Sequence, residues 1–118
     1  MKAELKRMHS PDIDNLEDFQ PKNPDNFAFL LQIMVGPEGE DSMESFDVEV
    51  CTPEWINDTY SYEDIIIGRH HLIVKQYDYH GIFRVIESFV KGCTGSNWDE
   101  VANKIGRLGR WEFEDYIG

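Results

Sequence analysis

The chain has 118 residues, of which 23 are Asp or Glu and 11 are Lys or Arg, for a net charge of −12. With 41% hydrophobic and 13% aromatic residues it can bury a core, which excludes disorder throughout. The charge argues against a nucleic-acid-binding module and against docking on an anionic membrane, and no apolar run nears the roughly 18 residues of a spanning helix.

Ala3 and Leu5 alternate with Lys2, Glu4 and Lys6, so residues 2–8 read as an edge strand. Residues 9–26 hold Pro11, Pro21, Pro24 and repeated Asx residues, a loop long enough to suggest function. Within it Asp14 or Asn15 can cap a short turn through Phe19. Phe27 to Val35 is largely apolar on both faces and reads as a central strand. The stretch GPEGEDSME after it reads as a hairpin loop. Phe46, Val48 and Val50 then alternate with Asp47, Glu49 and Cys51, the pattern of an antiparallel strand whose second face is wet.

Thr52-Pro53 starts a short helix, with Thr52 as N-cap and Pro53 in the first turn, ending near Tyr60. Ile65–Ile67 and Leu72–Val74 flank Gly68 and are expected to form one bulged strand or two short ones. Ile82, Phe83, Ile86, Phe89 and Val90 mark an amphipathic helix over 79–91. Ser96 or Asn97 caps a last helix carrying Trp98, Val101, Ala102, Ile105 and Leu108, and Gly109 stops it. Trp111 and Phe113 alternate with Glu112 and Glu114 in a final short strand, its aromatics facing the core. The order implies an α+β fold, a mainly antiparallel sheet with two to three helices packed on one face. Residues 1–118 are expected to form a single domain.

The acid is concentrated in one third of the chain. Residues 9–49 carry eleven acids and one base, Lys22. Such a run is either a solvated surface or a docking face for a basic partner, where complementary charge raises association rates about 10–1000-fold at low salt. Asp12, Asp14, Glu17, Asp18, Glu38, Glu40, Asp41 and Glu44 are the candidate partner-binding residues.

Catalytic constellations are weak. His70 and His71 are adjacent and would face opposite ways on a strand, so no metal-ligand spacing supports a metal site. Cys51 precedes a helix start, a position that can activate a thiol, whereas buried small cysteine is the ordinary alternative. Two cysteines, neither in a CxxC pair, are too few for a disulfide scaffold. No P-loop or nucleophile-elbow motif is present, and no cofactor is implied. The charged N-terminus MKAELKRMHS lacks the apolar core of a signal peptide, so a cytoplasmic protein is expected.

The chain also resembles a known family, the immunity protein 8 family. The resemblance rests on Ser10-Pro11-Asp12, Pro24-Asp25-Asn26-Phe27, Gly36-Pro37, Glu44-Ser45-Phe46-Asp47-Val48, Val50-Cys51-Thr52-Pro53 and Gly68-Arg69-His70. Its strongest part is Trp98 followed by Leu108-Gly109-Arg110-Trp111-Glu112-Phe113-Glu114-Asp115-Tyr116. The resemblance implies a bacterial immunity protein of a polymorphic toxin system, such as contact-dependent growth inhibition. Such a protein binds the C-terminal domain of its cognate toxin and performs no catalysis. A basic nuclease would suit the acidic charge. Two other readings stay open: a small hydrolase using Cys51 with His70 or His71, and an assembly subunit self-associating through the Phe27–Val35 strand. Homo-oligomerisation is not decided by the sequence.

Overall fold

Phe29, Leu31, Ile33 and Val35 project from one face of a single strand, and all four are buried. The fold is organised around that row. The computed structural model describes residues 1–115. Tyr116, the last residue of the tail motif, lies outside the described residues with Ile117 and Gly118. Within 1–115 the elements run β1 (Ala3–His9), β2 (Ala28–Pro37), β3 (Glu44–Cys51), α1 (Pro53–Thr59), β4 (His71–Ile73), α2 (Tyr79–Lys91), α3 (Trp98–Ile105) and β5 (Arg110–Trp111). The fold is α+β. The sheet has the order β1-β2-β3-β4, with β5 also paired to β3. β1, β2, β3 and β5 pair antiparallel, whereas β4 runs parallel to β3.

One face of the sheet meets the helices. Ile82, Ile86 and Val90 of α2 and Val101, Ala102 and Ile105 of α3 join the strand residues Phe46, Val48 and Val50 in one buried cluster. Leu5 and Met8 of β1 both pack on this cluster although they are three residues apart. A strand that alternates strictly could not manage this. The register shifts between Leu5 and Arg7, so an extra residue in β1 resets which face the chain presents.

Helix starts follow local hydrogen-bond logic. Thr52 caps α1 by accepting from the Trp55 backbone N–H at 3.2 Å, and it also accepts from Phe27 N–H at 3.2 Å. Asn97, rather than Ser96, caps α3 through Glu100 N–H at 2.9 Å. Glu100 in turn accepts from Ser96 N–H at 2.7 Å, closing both ends of the first turn. Gly36 sits where the hairpin backbone returns: an added Cβ would fall 1.8 Å from the Ser42 carbonyl oxygen.

Four expectations are corrected. The last helix ends at Ile105 with Gly106 as its C-cap, so Leu108 lies beyond it and Gly109 is not its stop. Ile65–Ile67 form no strand; of the two expected segments only the second joins the sheet, as β4 beside β3, and the isoleucines stay in the exposed connection between α1 and β4. Cys51 is 0% exposed instead of facing water, flanked by Ala28 and Ile73 in the sheet and followed directly by α1. The last strand stops at Trp111, so Phe113 lies in a turn and is exposed, leaving Trp111 alone to stack on Phe46 at 6.3 Å.

Candidate partner-binding surface

The candidate acids fall into two groups. Asp12, Asp14, Glu17 and Asp18 lie on the loop between β1 and β2, and all four are exposed. That loop is ordered by its own contacts. Asp12 accepts from Leu30 N–H at 3.0 Å, beyond the last residue that β1 pairs. Asn15, not Asp14, caps the short turn, accepting from Glu17 N–H at 2.9 Å. Leu16 is buried and its carbonyl accepts from the Tyr77 hydroxyl. Phe19 packs edge-on against Phe27, Phe29 and Tyr77. The apolar residues thus hold the loop to the core while its carboxylates face solvent.

Glu38, Glu40 and Asp41 are exposed at the tip of the β2–β3 hairpin. The tip is held to β1. Glu38 N–H donates to the Lys2 carbonyl at 3.0 Å, and Lys6 donates to the Glu40 carbonyl. Lys6 also pairs with Glu4 at 2.7 Å, which holds the Glu4 carboxyl below the usual carboxylate range.

β2 separates the two groups. Its ten residues span about 30 Å at roughly 3.3 Å per residue, so the loops flanking it lie at opposite ends of the sheet. The structure therefore does not gather the eight candidate acids into one patch. The signal for this was already in the sequence, since loops that precede and follow one extended strand must part.

Glu44 differs from the other seven. It is partly buried at the start of β3, and its two carboxylate oxygens accept from the indole N–H groups of Trp98 and Trp111, the latter at 3.0 Å. This carboxylate ties α3 and β5 to the hairpin. A cleft of about 430 Å³ opens beside it, with Asp99, Asn103, Trp111, Phe113 and Asp115 among its walls. Three carboxylates and no base line it among the described residues, so the hairpin end extends its negative surface toward α3.

The residues considered for chemistry are placed differently. Burial raises the Cys51 thiol, and Glu49 raises it further, the opposite of what a nucleophilic thiolate needs. His70 donates from Nε2 to the Gly106 carbonyl at 2.8 Å, and His71 donates from Nδ1 to the Arg69 carbonyl at 3.0 Å. Both rings are engaged with backbone. Glu112 and Glu114, the acids that alternate with Trp111 and Phe113, are engaged as well: Glu112 accepts from Ser45 N–H at 2.8 Å and Glu114 pairs with Arg69. Among the described residues no group of three or more His, Cys, Asp or Glu side chains is placed to hold a metal ion, and no helix is long and apolar enough to cross a membrane.

One surface feature escaped the sequence reading. Residues 61–69 are all exposed, including the run Ile65-Ile66-Ile67. The apolar run was visible, but its exposure was not, because nothing local to the run decides whether it joins the sheet.

Neither a curated protein nor a solved structure matches the chain. A family model described as Immunity protein 8 matches residues 3–116, nearly the whole length, and the chain belongs to that family.

Proposed function

We propose that residues 1–118 form a single immunity domain that binds a cognate bacterial toxin domain in the cytoplasm and blocks it stoichiometrically, without catalysis of its own. The family name implies an immunity protein directed against a toxin. What carries the reading to this chain is the pairing of that membership with two anchored, acid-rich loops. Carboxylates held on ordered backbone present fixed charge, and fixed charge of one sign steers a basic partner. A nuclease is the favoured toxin class, because its substrate-binding surface must be basic to hold phosphates and an acidic protein can cover it.

The two acid groups lie about 30 Å apart, the width of a standard interface of roughly 800 Å² per partner. Each group is therefore tested separately. One variant carries Asp12→Asn, Asp14→Asn, Glu17→Gln and Asp18→Asn; the other carries Glu38→Gln, Glu40→Gln and Asp41→Asn. Glu44 stays in place because it holds two indoles. The partner is the C-terminal domain encoded by the reading frame immediately upstream. It is expressed in a test bacterium with and without this protein, and association is followed against salt concentration. Growth rescue by the natural chain is expected. At least one variant should associate about tenfold more slowly, with a flatter salt dependence. A toxic domain that this protein fails to rescue would overturn the immunity reading. Unchanged rates and salt slopes in both variants would overturn only its electrostatic part.

A further inference from the structure

The acidic loops leave the isoleucine run unexplained. Isoleucine favours buried strands, yet Ile65 is 96% exposed and Ile67 is 84% exposed. Ile66 between them is less so, as expected of an extended segment that shows Ile65 and Ile67 on one side. Tyr62 and, on β4, Ile73 are exposed as well.

The segment is tied to the body of the fold where it ends. Before it, Ser61 and Asp64 close a local turn, Asp64 accepting from Ser61 N–H at 2.8 Å and returning its own N–H to the Ser61 carbonyl at 3.0 Å. After it, Arg69 pairs with Glu114, His70 donates to Gly106, and the His70 carbonyl accepts from Glu49 N–H at 2.9 Å. His70 takes a φ of +66°, a left-handed conformation that these contacts hold in place. Apolar side chains on a segment that starts from a closed turn and is anchored where it ends lose less freedom on binding than those of an untethered loop. Exposed apolar patches of this kind mark interaction sites.

Charge identifies the occupant. From Thr52 to Gly68 the chain carries Glu54, Asp58, Glu63 and Asp64 and no Lys or Arg. The next cation, Arg69, is already paired with Glu114. Asn26 donates to Asp58 at 2.7 Å, which joins α1 to the acidic loop between β1 and β2. A second copy of this chain would set the same carboxylates against these, on a molecule of net charge −12. A basic partner with an apolar pocket is complementary to both the isoleucines and their rim. We infer that Ile65 and Ile67 are the apolar anchors of toxin binding, seated in a pocket of the toxin domain rimmed by Lys or Arg. This inference rests on the immunity reading above.

The test uses the full chain and the purified toxin domain from the upstream reading frame. Ile65→Ser and Ile67→Ser are made together, which removes apolar surface without adding charge. Both side chains are exposed, so the thermal midpoint should not move. Truncating a central interface anchor costs about 30-fold or more in affinity. The expected result is that loss by titration calorimetry, arising mostly from faster dissociation, together with failed growth rescue. If the natural chain binds and the variant binds within threefold, the inference falls and the immunity reading stands. If the natural chain neither binds nor rescues, both fall. Sedimentation of the chain alone supplies the other arm: a dimer that the substitutions dissolve would make a second copy the occupant and overturn the inference.

Discussion

Replacing Glu44 by alanine strips the acceptor from two indole N–H groups at once, those of Trp98 and Trp111. Both indoles are half-buried, so neither donor turns freely to bulk water. A hydrogen bond to a charged acceptor is worth about 1.5–3 kcal/mol, and partial exposure places each of these near the lower end. The expected loss is about 3 kcal/mol for the pair. With about 2.1 cal/mol/K of unfolding entropy per residue, 118 residues give roughly 0.25 kcal/mol/K, so the midpoint should fall by about 12 °C. Glu44→Gln keeps one acceptor oxygen but turns an amide donor toward the other indole, and should lose about half as much. Thermal and urea denaturation followed by tryptophan fluorescence measure both variants. Glu38→Gln, exposed at the hairpin tip, is the control and should stay within about 0.5 kcal/mol. A double-mutant cycle with Trp98→Phe should recover part of the Glu44→Ala loss as coupling. Glu44→Ala and Glu44→Gln both within 0.5 kcal/mol of the natural chain would refute the clamp.

Three further expectations follow from buried groups. Burial, with a smaller push from Tyr79, raises Tyr77 from 10.0 to about 12, so the native state holds its proton after the unfolded chain has lost it. Stability from this group is complete below pH 10 and falls as pH rises from about 10 to 12; Tyr77→Phe should flatten that fall in alkaline urea titrations. Cys51 and Cys93 are both buried with raised thiols, so iodoacetamide should modify them only after denaturation, and rapid labelling of the native chain would contradict their placement. Gly36→Ala drives a Cβ into the Ser42 carbonyl oxygen and should cost at least about 1–3 kcal/mol in a urea melt, whereas an unchanged midpoint would show that the hairpin yields at no cost.

Elements with a strong period were legible from residues alone. The stripe on α2 and the apolar row of β2 predict the buried residues Ile82, Ile86, Val90, Phe29, Leu31, Ile33 and Val35, although Phe83 of the same stripe is half-buried and Phe89 exposed. The caps at Thr52 and Asn97 could be read because a side-chain acceptor acts over two or three residues. What was not legible depends on partners distant in sequence. The strand reading of Ile65–Ile67 follows its propensity, but a strand also needs a pairing partner, and β3 takes the residues after Gly68 as β4 instead. Phe113 alternates correctly with Trp111, yet the chain turns after Trp111 and the alternation lapses. The acids of residues 9–49 look continuous in sequence, and the length of β2 parts them.

The division of the acids alters what each part of the surface can contribute to an encounter. Exposed carboxylates act over a Debye length of about 8 Å at physiological salt, so two groups about 30 Å apart steer a partner independently and neither reinforces the other at contact. Steering of this kind raises association rates, while lifetime depends on surface that is fully desolvated in the complex. The acidic loops present charge that water already solvates well, and removing that water brings little net gain unless each carboxylate meets a cation. Ile65 and Ile67 present the reverse, apolar area that water solvates poorly, on a segment anchored to the fold at His70. On the function proposed above, charge would bring the toxin in and the isoleucines would set how slowly it leaves. Raising the salt should therefore slow association of the natural chain while leaving its dissociation rate nearly unchanged, and a dissociation rate that rises with salt as steeply as association falls would place the lasting contacts on the carboxylates instead.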